Sequence, residues 1–188
     1  ILHRIAKHAD IVVANSLPTR NWIRESIDIK DHQKIRIAEN GVDLDLIPGE
    51  ESPPLKRGVR GVTILGRIDP RKGQINMIEA ADLLQERNPD LQYAIVGSST
   101  QTDQRTVDYE QKLHEFIEDR KLQNIHFLGN VDNPFQAFID SDLVLILPTE
   151  PETFGRITTE AMAVNRMVIA FDQTGPKEII QAYISWLW

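Results

Sequence analysis

Short apolar blocks alternate along the chain with longer stretches in which apolar and polar positions interleave. The blocks lie at residues 61–65, 91–96, 125–128, 143–147 and 167–171. Each is rich in aliphatic residues, too short for a packed helix, and followed at once by Gly, Pro or Asp, which predicts a strand. The intervening stretches predict helices at 73–87, about 106–121, 134–140, about 154–164 and from Pro176 onward. In the second of these, Tyr109, Leu113, Phe116 and Ile117 fall on one face. Near-continuous apolar runs such as Leu143-Val144-Leu145-Ile146-Leu147 suit strands covered on both faces, hence a parallel sheet. The alternation therefore predicts an α/β domain with a doubly wound parallel sheet. In such sheets ligands bind at the carboxyl ends of the strands.

The upstream part has a different character. Ile1, Leu2 and Ile5 give a short apolar stripe, residues 11–14 a compact strand, Ser16 with Pro18 a helix start, residues 34–38 another strand, and Asn40-Gly41 a turn. Four such elements cannot bury a core alone. They are expected to be the tail of a preceding domain and its linker. Residues 48–58, with Pro53-Pro54 and several charges, suit a boundary. The expected division is therefore 1–47 and 48–188.

Composition narrows the function. The chain has 188 residues, a net charge of −7 and no cysteine. Missing cysteine excludes disulfides, zinc-thiolate sites and thiol catalysis in this sequence. The acidic balance argues against a broad nucleic-acid footprint. No apolar run approaches the roughly 18 residues of a membrane span. The first residue is Ile rather than Met, which suits an excised segment.

Two loops carry candidate chemistry. The first, Gly66-Arg67-Ile68-Asp69-Pro70-Arg71-Lys72-Gly73, directly follows a predicted strand. Asp69 and Pro70 are good residues for a helix start. Cations in a first helical turn oppose the helix dipole, costing about 0.3–1 kcal/mol each. Three of them in an acidic chain suggest an external anion there, a phosphate being the natural candidate. A solvated basic turn is the alternative. The spacing matches neither GxGxxG nor a Walker loop.

The second loop runs from Pro148 through Glu152, Thr153, Phe154, Gly155, Arg156 and Ile157 to Glu160, leaving the most apolar strand and entering a helix. Glu152 precedes the helix and Glu160 lies within it. Gly155 would let a ligand approach the backbone, and amides around 154–157 are candidate anion donors. Two carboxylates beside such donors suit a sugar and a ribose joined by phosphate. Helix-start acids and a surface glutamate are the bland alternative. A glycosidase acid/base pair is disfavoured because a glycosidase has no diphosphate to hold. The histidines at 3, 8, 32, 114 and 126 show no metal spacing, with His126 expected to pack. Ser98 and Ser99 lack a nucleophile elbow. Trp186 and Trp188 suit packing or a cut edge.

In sequence order, Gly66-Arg67, Lys72-Gly73, Ala94-Ile95-Val96-Gly97, Phe127-Leu128-Gly129-Asn130-Val131, Glu152-Thr153-Phe154-Gly155 and Glu160-Ala161-Met162-Ala163 resemble the C-terminal domain of GT-B glycosyltransferases, specifically retaining family 4. The resemblance covers about residues 60–180. Upstream, Ala9-Asp10-Ile11-Val12-Val13-Ala14-Asn15-Ser16 and Glu39-Asn40-Gly41-Val42-Asp43 resemble the end of that family's N-terminal, acceptor-binding domain and its linker. The resemblance implies a Rossmann-like donor domain for a nucleoside diphosphate sugar, UDP-linked most often, with GDP and ADP as alternatives. It implies that Arg67 and Lys72 hold the diphosphate, Glu152 meets the sugar hydroxyls and Glu160 the ribose. Backbone at Phe154, Gly155 and Arg156 would face sugar and phosphate, and Val131 would meet the base. Gly66, Gly97, Thr153 and Ile157 complete the implied donor site. No metal or cofactor is implied.

The implied acceptor is a glycan or a lipid-linked glycan, reached through an N-terminal domain almost wholly absent from this sequence, so the chain alone is expected to be inactive. A cytoplasmic location is expected, with peripheral membrane association of the intact enzyme left open. Departures from the family are Asn165 for Gly, Met167 for Pro, Thr174-Gly175 for two glycines, and an unmatched ending over 181–188. The alternatives are a UDP-sugar 2-epimerase-like enzyme and a non-catalytic nucleotide-sugar-binding module.

Overall fold

A computed structural model describes residues 4, 6, 8–27, 32–49 and 60–185. The apolar stripe at the start, most of the expected 48–58 boundary, and both terminal tryptophans lie outside the described residues.

The described chain forms two compact units. One gathers residues 1–42, 151–156 and 172–188; the other gathers 43–150 and 157–171.

The larger unit holds a sheet of β3 (Arg60–Leu65), β4 (Leu91–Val96), β5 (Ile125–Gly129), β6 (Leu143–Ile146) and β7 (Met167–Ala170). Its order is β5-β4-β3-β6-β7, and every pairing is parallel. The expected α/β doubly wound architecture is present. Helices α2 (Gln74–Leu84), α3 (Gln104–Arg120) and α4 (Pro134–Ile139) connect the first four of these strands. The main core joins Val62, Ile64, Tyr93 and Ile95 of the sheet to Met77, Ile78 and Ala81 of α2 and Leu113 of α3. Tyr109, Phe116 and Ile117 pack against this cluster, so the predicted face of α3 is the one buried. Burying one such aliphatic side chain contributes about 1.5–3 kcal/mol.

The two edge strands depart from the expected fully covered pattern. In β7 Met167 is 68% and Ile169 50% exposed, so burial there alternates. An edge strand has a neighbour on one side only, and half its side chains find no cover.

The helix starts sharpen one expectation. Asp69 caps a 3-10 turn at Pro70–Lys72, not α2 itself. Helix α2 follows from Gly73, which offers no side-chain cap. Tyr109 compensates, its hydroxyl accepting the Ile75 amide at 3.1 Å. Helix α5 (Arg156–Ala163) starts two residues later than the sequence suggests and ends before Asn165, which is left-handed at φ 57°. Asparagine tolerates that geometry, so its replacement of the family's glycine is mild.

The smaller unit contains a parallel pair, β1 (Val12–Ala14) and β2 (Ile35–Ile37), with α1 (Leu17–Ser26) between them and α6 (Thr174–Ser185) packed on α1. Ala6, Ala14, Ile23, Ile27 and Ile35 form its modest core. Ser16 caps α1 and Pro18 sits in its first turn, as the sequence predicts.

Candidate functional site

The order β5-β4-β3-β6-β7 reverses direction between β3 and β6, and the loops leaving those two strands meet at that point. Thr149, beyond β6, donates its amide to Arg71 O and its hydroxyl to Pro70 O, both at 3.0 Å. Asn76 Nδ2 donates to Leu147 O at 3.1 Å. Such a reversal is where open α/β sheets bind ligands.

The loop after β3 is tied to the loop after β4. Gly66 N donates to Val96 O at 2.9 Å, and Ile68 N to Ser98 O at 3.0 Å. Gly97 lies so close that a Cβ there would stand 2.1 Å from Gly66 O, and its φ is 132°. Only glycine fits. A Cβ on Gly66 would meet Ile157 Cδ1 at 3.5 Å. Gln74 is buried and donates its Nε2 to Arg67 O at 3.0 Å, holding the backbone of that cation.

The three cations of this loop separate in the structure. Arg71 donates Nε and Nη2 to the two oxygens of Asp69 at 2.9 and 2.7 Å, and Arg105 joins at 3.3 Å. Asp69 is buried, and the hydrogen-bonded Arg71 guanidinium holds its carboxyl well below the usual carboxylate range, outweighing the upward push of burial. The same pairing raises Arg71 above its ordinary value. Arg71 is thus neutralised internally, which corrects the sequence expectation of three cations awaiting one external anion. The cations implied for the diphosphate were Arg67 and Lys72. Arg67 is exposed and Lys72 half-buried.

Glu160 lies in the first two turns of α5 and is 9% exposed, so the surface-residue alternative fails for it. Ile157 is half-buried on the same helix. Val131 is 39% exposed and borders a cavity of about 580 Å³, lined also by Val96, Leu128, Asn130, Asn133 and Gln136. The cavity reaches from the carboxyl ends of β4 and β5 past Thr63 and Ala94 to Asp140 and Ser141, just before β6.

Glu152, Thr153, Phe154, Gly155 and Arg156 belong to the smaller unit. Glu152 is half-buried, Phe154 buried, and Thr153 and Arg156 exposed. The carbonyl of Glu152 accepts from Thr174 Oγ1 at 2.7 Å and from Gly175 N at 3.2 Å. Gly155 has φ 84°, and a Cβ there would stand 2.7 Å from Pro176 Cγ. Its glycine is required by packing against Pro176 inside the chain. Phe154 and Gly155 precede α5 rather than opening it.

Sequence reasoning missed Gln74, Asp69 and Thr149 as supports of the basic loop. A buried amide on an apolar helix face is the only signal that could have marked Gln74. His126 is exposed and pairs its Nε2 with Gln92 Oε1 at 2.9 Å, contrary to the packing expectation. Among the described residues, no group of three or more His, Asp or Glu could hold a metal, and no helix is long and apolar enough to cross a membrane.

A five-stranded parallel sheet of this order, with a basic loop at its switch point, defines a Rossmann-like domain. The sequence matches the family described as "Glycosyl transferases group 1" over residues 51–187, and the chain belongs to that family. It is 30% identical over 180 residues to a phosphatidyl-myo-inositol mannosyltransferase of Mycobacterium tuberculosis, covering 93% of this chain and 44% of the relative. It is 30% identical over 159 residues to a D-inositol 3-phosphate glycosyltransferase of Paenarthrobacter aurescens, covering 77% of this chain and 36% of that one. The chain thus spans less than half the length of these relatives. Among solved structures, Anabaena HepE in complex with UDP and glucose superposes with a TM-score of 0.80 at 26% identity, covering 93% of this chain and 48% of that one.

Proposed function

We propose that this chain is the donor-binding part of a retaining hexosyltransferase that moves a sugar from a nucleoside diphosphate sugar to a glycan or lipid-linked acceptor. The observation that carries the reading is the Arg67–Lys72 loop, pinned at the carboxyl end of β3 where the sheet order reverses. Arg67 and Lys72 meet the diphosphate, Glu160 the ribose hydroxyls, and Glu152 the hydroxyls of the transferred sugar. Backbone at Val131 meets the base, and backbone around Phe154, Gly155 and Arg156 meets sugar and phosphate. Family membership favours transfer over epimerisation, and the UDP and glucose held by HepE favour a uridine donor.

As the glycosidic bond to phosphate breaks, negative charge collects on the departing diphosphate. Fixed cations stabilise that charge without solvent reorganisation, and one preorganised donor of this kind is worth about 10²–10³ in rate. Transfer therefore proceeds without a metal. The acceptor enters through an N-terminal domain of the intact enzyme, which works in the cytoplasm.

The test is a thermal-shift screen of this chain against UDP-, GDP- and ADP-sugars, followed by calorimetry with the preferred nucleotide. At least one nucleoside diphosphate raises the melting temperature. Glu152→Ala removes the extra affinity contributed by the sugar and leaves that of the free nucleotide nearly unchanged. Binding by none of them refutes the donor site, and an equal loss for nucleotide and nucleotide sugar refutes the sugar-contact role of Glu152.

A further inference from the structure

The segment carrying Glu152 is irregular, yet its backbone is held at two successive carbonyls. Glu152 O is taken by Thr174 Oγ1 and Gly175 N, at 2.7 and 3.2 Å. Thr153 O accepts from the hydroxyl of Ser16 and, at 3.4 Å, from Thr19 Oγ1. Asn15 Nδ2 adds a bond to Thr153 Oγ1 at 3.3 Å. Fixing both carbonyls fixes the peptide planes on either side of Thr153, and the first of these planes anchors the Glu152 Cα from which the carboxylate projects.

Ser16 has a second task. It is the N-cap of α1, accepting the Thr19 amide at 3.1 Å, and it is fully buried. A hydroxyl has one proton and two lone pairs, so Ser16 caps with an acceptor site and keeps its one proton for Thr153 O or for Thr19 Oγ1, which lies 2.9 Å away and itself donates to Thr153 O. Asp or Asn would cap α1 equally well, but an ionised Asp has no proton for the carbonyl. The cap is further secured by Glu178, whose two oxygens each accept the Leu17 amide at 3.1 Å. A carboxylate at a helix N-terminus is favourable. Glu178 stands on α6, whose first residues, Thr174 and Gly175, hold Glu152 O. The starts of α1 and α6 therefore grip the Glu152 segment from two directions and are bonded to each other.

We propose that Ser16 is a positioning residue for Glu152, its hydroxyl bond to the Thr153 carbonyl setting the direction in which the carboxylate meets the transferred sugar. The inference rests on the proposed sugar-contact role of Glu152. It gives residues 15–19 a part in donor recognition that a helix cap alone does not require.

The test compares Ser16→Ala, Ser16→Thr and Thr19→Val in the full chain. One readout needs no ligand: amide hydrogen exchange at Gly175, whose N–H is bonded to Glu152 O. The other is calorimetry with UDP and with UDP-glucose. Ser16→Ala is expected to speed Gly175 exchange and to weaken UDP-glucose about tenfold while UDP stays within about twofold. Ser16→Thr, which keeps the hydroxyl, restores both. Thr19→Val keeps the α1 cap and shows a smaller effect of the same kind, so the proposal is tested even if Ser16→Ala fails to fold. Unchanged Gly175 exchange, equal weakening of UDP and UDP-glucose, or no rescue by Ser16→Thr each overturn the positioning role. Faster exchange with UDP and UDP-glucose indistinguishable in every protein, wild type included, overturns the Glu152 reading and the inference resting on it.

Discussion

Replacing Gly97 by Ala should cost several kcal/mol, and its parts can be separated. The backbone at Gly97 has φ 132°, and a left-handed conformation costs an L-residue about 1–2 kcal/mol. The added Cβ would stand 2.1 Å from Gly66 O and 2.8 Å from Gly66 C. To reach ordinary contact, Gly66 must retreat by about 1 Å, because both atoms are backbone and nothing rotates away. That retreat stretches Gly66 N to Val96 O and Ile68 N to Ser98 O, now 2.9 and 3.0 Å. Two backbone hydrogen bonds contribute about 1 kcal/mol each. The expected loss is about 3–4 kcal/mol. Gly129→Ala is the internal control, since Gly129 has φ 67° but nothing within 4 Å of an added Cβ. It should lose only the conformational part, about 1–2 kcal/mol. Urea unfolding at neutral pH measures both, and calorimetry with UDP asks whether displacing Gly66 also displaces its neighbour Arg67. If Gly97→Ala falls within about 0.5 kcal/mol of Gly129→Ala, the clash argument is wrong.

Lys72→Ala should weaken UDP by about tenfold or more, since a hydrogen bond to a charged group contributes about 1.5–3 kcal/mol. Added salt should narrow the difference from wild type; equal affinities measured by calorimetry at low salt remove Lys72 from the phosphate site. Asp69→Asn should destabilise the chain at neutral pH and less so in acid. The folded carboxyl titrates below its ordinary value near 3.8, so its contribution is complete above that pH and is lost as pH falls through it toward the lower folded value. The gap in urea midpoints should hold from pH 7 to about 4 and begin to narrow, by about 1 kcal/mol, as pH falls to about 3, and a constant gap would contradict the pairing with Arg71.

The sheet was legible because its central strands obey one rule. β3, β4 and β6 are apolar on both faces, and alternation with amphipathic stretches leaves few parallel topologies. The edge strands were less legible, since β7 is as uniformly apolar as β6 yet lacks a second neighbour. Helix starts shifted by one or two residues where capping is shared. Asp69 is a good N-cap by type, but its carboxylate is spent on a short 3-10 turn and on the Arg71 fork. No local rule distinguishes these uses, and Arg105 joins the same carboxylate from another helix.

The candidate site divides along the same line. Residue type and order marked Arg67, Lys72, Glu152 and Glu160, because charged residues at strand ends in an apolar domain have few structural uses. Their supports were invisible for the opposite reason: Gln74, Thr149 and Ser16 are ordinary polar residues whose value comes from a carbonyl far away in sequence. Gln74 reaches Arg67 from seven residues away, but Ser16 reaches Thr153 from 137. The basic loop also shows how charge counting misleads. Arg67, Arg71 and Lys72 look equivalent in sequence, yet Asp69, two residues before Arg71, has a fork geometry that only arginine satisfies in bidentate fashion. The buried carboxylate takes the Arg71 fork, with Arg105 joining it from another helix.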